Sequence, residues 1–194
     1  MPMTRDRRPK TPPPTFFLDF KVQAPPLGVN DVPVTGNEAP FNPDEMTEIL
    51  PNLFLGPKPD ELQIQMNGIS AILNVAKEVH PIGKENVVDY LQLPLEDDSD
   101  QPIGQHFDEC NNFIRRNLES GGRVLVHCRM GVSRSATIVI AYLMASGFIS
   151  YRKAFDHVKE RRLNVSPNLG FTLTLREYQK RLGGGSVEKE EFGL

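Results

Sequence analysis

Residues 122–137, GRVLVHCRMGVSRSAT, constrain the fold of this chain more than any other stretch. Val124 to Val126 form an apolar run that reads as a buried strand, and it ends at His127-Cys128. A short loop containing Gly131 follows. The apolar run from Ala136 to Ala145 comes next, well short of the roughly 18 residues a membrane span needs. Strand, tight loop and helix in that order direct the loop amides and the positive end of the helix at one point, which makes an anion site. Gly131 lets the loop turn where a Cβ would crowd it. Arg134 carries the planar fork that grips two phosphate oxygens at once. Cys128 stands where the same positive field favours a thiolate, so the field that binds an anion also makes a nucleophile.

Taken singly, a cysteine at a strand end is ordinarily a small buried hydrophobe, and a lone arginine is ordinarily a solvated charge. The combination Cys-x5-Arg, with glycine between and apolar runs on both sides, argues against both readings. A nucleotide-binding P-loop is not indicated, because no Gly-Lys-Ser/Thr is present. Zinc is not indicated either, since His127 and Cys128 are adjacent and lack a second ligand pair.

Around this core, short apolar runs alternate with helical spacing. Strands are expected at 48–56, 68–76, 87–95 and 122–128. Helices are expected at 61–67, at 103–118 through Ile103, Phe107, Cys110, Phe113, Ile114 and Leu118, around Ala154 to Arg162, and at 169–182. The implied class is α/β, a central mixed and mostly parallel sheet flanked by helices. Ligands in such sheets bind beyond the carboxyl ends of the strands, where GRVLVHC leads.

Ten of the 17 prolines fall in residues 1–43, a composition unable to bury enough surface to offset ordering. That segment is expected to be a disordered Pro-rich tail, residues 44–182 the folded domain, and 183–194 a flexible exit. A net charge of −3 gives no basic surface for nucleic acid. The N-terminus lacks the apolar core of a secretory signal, and two cysteines are too few for a disulfide scaffold. The expected compartment is the cytoplasm, with the nucleus as an alternative, and no membrane association is foreseen. Cys110 reads as helix core.

HCRMGVSRS resembles the HCxxGxxRS/T signature of the cysteine-based protein phosphatases, and the surrounding chain resembles their dual-specificity branch. The likeness runs through ILPNLFLG, GISAILNV, LPLEDD, SRSATIVIAYLM, AFDHVKERR and SPNLGF, nearly all of residues 47–182. It implies the cysteine-phosphatase fold and hydrolysis of phosphotyrosine and phosphoserine/threonine through a phosphocysteine, with no cofactor or metal. Carried onto this sequence, it makes Cys128 the nucleophile and Arg134 the phosphate clamp. The loop Arg129, Met130, Gly131, Val132, Ser133 and Arg134 becomes the phosphate cradle. Ser135 serves the release step, His127 braces the loop, and Asn168 holds its shape.

A proton donor is also needed, and the acidic run offers Glu96, Asp97, Asp98 and Asp100. The resemblance favours Asp97, with Asp98 as the alternative. The loop has few extra bases, which favours a phosphoprotein over a phosphoinositide or RNA. CRMGVSRSA with AFDHVKERR is closer to the slingshot type, for which the resemblance implies cofilin phosphoserine as substrate, than to the mitogen-activated kinase phosphatases. EILPNLFLGP is also similar to a relative without the cysteine, which leaves a weakly active phosphoprotein-binding module as the alternative function. In the tail, Arg5, Arg7, Arg8 and Lys10 precede Phe16, Leu18 and Phe20, an arrangement that suits docking to a MAP kinase. A solvated basic terminus is the competing explanation.

Overall fold

The computed structural model describes residues 41–82, 87–148 and 150–183. Of the expected tails 1–43 and 183–194, residues 1–40 and 184–194, including the docking-like segment at 5–20, lie outside the described residues. Among the described residues five strands, β1 (Thr47–Leu50), β2 (Leu53–Gly56), β3 (Ala71–Asn74), β4 (Asp89–Gln92) and β5 (Val124–His127), form one sheet in the order β1-β2-β5-β3-β4. Only the β1–β2 pair is antiparallel. The sheet is therefore mixed and mostly parallel, with β5 at its centre.

One expected strand, 48–56, is two. Asn52 takes a left-handed conformation (φ 68°) that folds the segment back on itself after Pro51. Asparagine tolerates that region better than most residues, so Pro51-Asn52 makes the turn of a hairpin.

Strand residues alternate between two apolar layers, as the two-residue pleat requires. Phe54, Ile72 and Leu125 face α1 (Glu61–Met66) through Ile64. Leu53, Leu55, Leu73, Val124 and Val126 face the opposite way, into a larger core with α2 (Phe107–Glu119), α3 (Arg134–Leu143), α4 (Tyr151–Arg161) and α5 (Leu169–Arg181). Asp60 and Gln63 make a reciprocal capping box for the short α1, which satisfies two amides that would otherwise be orphaned. Ser150 and Asn168 cap α4 and α5.

Helix α3 is different. All ten of its residues are buried, and no side chain caps its N-terminus at Ser133. Its first amides stay available beside the end of β5, which fits an anion-binding terminus. No helix among the described residues is long and apolar enough to cross a membrane.

Candidate active site

The loop between β5 and α3 is built by pinning its carbonyl oxygens outward. Arg129 O accepts from Lys58 N (3.3 Å), and Val132 O accepts from Ser166 N (2.9 Å). Arg162 donates to Met130 O (3.3 Å) and Gly131 O (3.0 Å). Across a trans peptide the following N–H points the opposite way, so each held carbonyl aims an amide inward. Gly131 N–H shows the result, reaching Cys128 Sγ at 3.3 Å. Gly131 has φ +67°, and a Cβ there would lie 2.4 Å from the backbone carbon of Gly56, so the loop closes onto β2 only with glycine.

Cys128 lies on the floor of a cleft of about 680 Å³ lined by Lys77, Glu78, Glu96, Asp97 and the loop. Its sulfur also accepts from Ser135 Oγ (3.2 Å) on the first turn of α3. His127, at the end of β5, is buried, and its Nδ1 lies 3.2 Å from Cys128 O. Burial holds its pKa down at about 4, so the ring is neutral at pH 7. Cys110, the other thiol, is buried in α2 and pushed up to about 12, which leaves it unreactive.

Arg134 enters from the side. Its two terminal nitrogens bind the Glu78 carboxylate as a fork (2.7 and 2.6 Å), and Nη1 also reaches Leu95 O (3.0 Å). Glu78 had not been singled out in the sequence. Asn74 puts it there: buried at the end of β3, it donates to Val79 O (2.8 Å) and accepts from Ala76 N (3.0 Å), shaping the turn that carries Glu78. The hydrogen bonds from Arg134 hold the Glu78 carboxyl at about 2, against the opposing effect of burial. Burial disfavours the charge on Arg134, but Glu78, Cys128 and Asp97 together raise its pKa. Arg134 Nε is buried with no hydrogen-bond partner among the described residues. Asp97 Oδ2 stands off at 3.7 Å, beyond hydrogen-bond reach.

The acidic run sorts itself by geometry. Asp98 Oδ1 accepts from Asp100 N (2.9 Å) and shapes the loop, while Glu96 pairs with Lys77 (2.6 Å) at the rim. Asp97 lines the cleft. Its Oδ1 accepts from Ser133 Oγ (2.7 Å) and from Asn168 Nδ2 (3.0 Å). Asn168 thus does three things: it holds Asp97, caps α5 through Phe171 N (2.9 Å), and donates its own N–H to Ser133 Oγ (3.1 Å). The structure brings Cys128, Arg134, Asp97 and the loop residues Arg129, Met130, Val132 and Ser133 to one cleft, with Gly131 and Ser135 on the Cys128 sulfur and His127 and Asn168 nearby. The exposed side chain of Met130 turns outward at the loop surface. Among the described residues no group of His, Cys, Asp and Glu is placed to hold a metal ion.

A buried cysteine sulfur under inward amides at the end of a central parallel strand is the arrangement of a cysteine-phosphatase domain. The sequence profile of the family "Dual specificity phosphatase, catalytic domain" matches residues 53–181, and the chain belongs to that family. It is 44% identical over 138 residues to dual specificity protein phosphatase 2 of Homo sapiens, a match covering 70% of this chain and 44% of that protein. It is 41% identical over 143 residues to the protein phosphatase Slingshot homolog of Xenopus laevis, covering 72% of this chain and 20% of the other. The crystal structure of human tyrosine phosphatase-like serine/threonine/tyrosine-interacting protein superposes with a TM-score of 0.67 at 38% identity, over 71% of this chain and 97% of that one. The chain therefore spans less than half the length of the first two relatives.

Proposed function

We propose that this domain is a dual-specificity protein phosphatase working through a phosphocysteine. The observation that carries this reading is the convergence on one cleft of Cys128 Sγ, the unpartnered Arg134 Nε and the pinned Asp97. A phosphate oxygen at the loop meets inward amides and Arg134 Nε, which is the donor set this pocket lacks an acceptor for. The Cys128 thiolate attacks phosphorus in line, the S–P bond forms, and the P–O bond to the leaving group breaks. Asp97 gives its proton to the departing oxygen. In the second step water attacks phosphorus, Asp97 takes its proton, and the S–P bond breaks with Ser135 donating to the departing sulfur.

The proposed substrates are phosphoproteins of the MAP kinase type in the cytoplasm, recruited by the basic and apolar residues between Arg5 and Phe20. The composition of that segment supports this choice, and the likeness to a Slingshot homolog supports a cofilin-like substrate as the competitor. The second reading, a phosphoprotein-binding module, has one observation in its favour: both terminal nitrogens of Arg134 are already engaged by Glu78. Hydrolysis of an aryl phosphate by wild type, Cys128→Ser and Asp97→Asn decides between the two. Wild-type turnover that vanishes in Cys128→Ser supports the enzyme, and binding of phosphopeptide without turnover supports the module. A panel of doubly phosphorylated Thr-x-Tyr peptides and phosphocofilin, with and without residues 1–43, then reads the substrate.

A further inference from the structure

Arg162 is fully buried, and nothing in its place at the end of α4 suggests why. A guanidinium has five N–H donors, and here all five find acceptors. Nε and one Nη2 hydrogen hold Gly131 O (3.0 Å) and Met130 O (3.3 Å) of the phosphate loop. The rest bind the chain leading into β1: Pro43 O (2.9 Å), Glu45 O (2.8 Å) and Thr47 Oγ1 (3.2 Å). The Phe41 ring completes the site, 5.6 Å from the guanidinium carbon. A buried cation held this way is a costly choice where a hydrophobe would simply pack. Its placement makes sense if the loop needs it.

We propose that Arg162 is a positioning residue for the phosphate loop, acting through two carbonyls and anchored in turn by residues 43–47. Held outward, Met130 O and Gly131 O force the N–H groups of Gly131 and Val132 toward the pocket. The first of these is the donor seen on Cys128 Sγ. The charge itself also counts. Burial lowers the Arg162 pKa, while the Cys128 and Asp44 charges oppose that effect. Guanidinium remains charged throughout the accessible pH range. Around Cys128 stand the cations Arg134 from α3 and Arg162 just past α4, the charged side chains Lys77, Glu78, Glu96, Asp97 and Arg129 of the same cleft, and neutral His127. Loosening residues 43–47 should therefore weaken the cradle from a distance, without touching any residue that meets substrate.

This inference rests on the phosphatase reading, but its test does not need turnover. Iodoacetate alkylation of Cys128 as a function of pH reads the thiolate, with Cys110 silent because it is buried and titrates at about 12. Orthovanadate binding reads the cradle. Arg162→Lys keeps the charge and loses the fork. It is expected to slow alkylation at pH 6 and weaken vanadate, each by about tenfold, while remaining folded by circular dichroism. Thr47→Val removes one outer acceptor and should move both readouts the same way by about two- to threefold. Arg161→Lys, at the exposed neighbouring position, should move neither. Unchanged alkylation and vanadate binding in folded Arg162→Lys would overturn the proposal, as would an unchanged Thr47→Val if the lysine variant does not fold. If wild type fails to hydrolyse aryl phosphate, the phosphatase reading falls while these two measurements still judge Arg162.

Discussion

The Ser133 hydroxyl donates to Asp97 Oδ1 at 2.7 Å, so the phosphate loop itself holds the candidate acid. Asn168 Nδ2 donates to the same oxygen at 3.0 Å. With Oδ1 occupied by two donors, a transferable proton can sit only on Oδ2. That oxygen lies 3.7 Å from Arg134 Nε. The same serine thus couples the two halves of the chemistry, with its backbone in the cradle and its side chain on the acid.

Removing either donor should cost acid catalysis more than substrate binding. Ser133→Ala and Asn168→Ala are expected to lower kcat on alkyl phosphates by about tenfold, a fraction of the ~10²–10⁴ a positioned acid supplies. Aryl phosphates with good leaving groups should be affected far less, because their departing oxygen needs little help. Asp97→Asn should abolish the difference, since neither donor then has an acid to orient. A uniform loss across leaving groups would show that the two residues only support the fold.

Two glycines separate the cradle from the acid. A Cβ on Gly170 would come 2.0 Å from Ser99 O, so Gly170→Ala must push the acid loop off α5. Kcat should fall by up to about 10²-fold, as expected when a catalytic group is misplaced by roughly an ångström. Vanadate binding and Cys128 alkylation should remain as in wild type. Gly131→Ala meets the Gly56 backbone from a positive-φ position, and should cost about 2–4 kcal/mol of stability through strain and overpacking. Vanadate binding should go with it. Urea denaturation and vanadate titration of the pair distinguish the two effects.

Ser135 should matter to one step only. Its hydroxyl donates to Cys128 Sγ at 3.2 Å, where it favours sulfur as a leaving group more than as a nucleophile. In Ser135→Ala the phosphocysteine is expected to accumulate. Rapid-quench kinetics should then show a burst of released phenol of about one equivalent per enzyme, followed by a slow steady state. Loss of the burst together with the steady state would place Ser135 in the first step instead.

What the sequence disclosed and what it hid divide along physical lines. The sheet and helices were legible because period-two and helical apolar spacing are local signals, and Val124 to Val126 announce a central strand. Cys128, Gly131, Arg134 and Ser135 fall within eight residues of one another, so their cooperation is also written locally. The split of 48–56 into a hairpin depended on one left-handed residue, Asn52, which apolar spacing does not reveal. Glu78 and Arg162 were missed for a different reason. Each meets its partner across a long stretch of chain, Glu78 with Arg134 and Arg162 with Gly131. A charged residue after a strand or at a helix end reads as solvated unless its buried partner is known. Arg161-Arg162 looks like two exposed charges, and only the second turns inward. The resemblance already favoured Asp97 over Asp98; what the sequence did not show is the turn in which Asp98 accepts from Asp100 N while Asp97 lines the cleft.

Acid should unfold the domain in two separable windows. His127 is buried and neutral, with its pKa held at about 4 against an ordinary 6.5. The unfolded chain takes up a proton before the folded one does, so stability is complete above pH 6.5 and drains away as pH falls toward 4. The gap corresponds to about 3 kcal/mol. Glu78 has a depressed pKa of about 2 against 4.5, so its contribution is present above pH 4.5 and is lost as pH falls toward 2. Its carboxylate is half exposed, and solvent screening reduces this second contribution to about 1 kcal/mol. Urea midpoints measured from pH 8 to pH 2 should show His127→Gln flattening the upper window and Glu78→Gln flattening the lower. Because Glu78 grips Arg134, Glu78→Gln should also raise KM for aryl phosphate at pH 7, whereas an unchanged KM would show that Arg134 keeps its place without the fork.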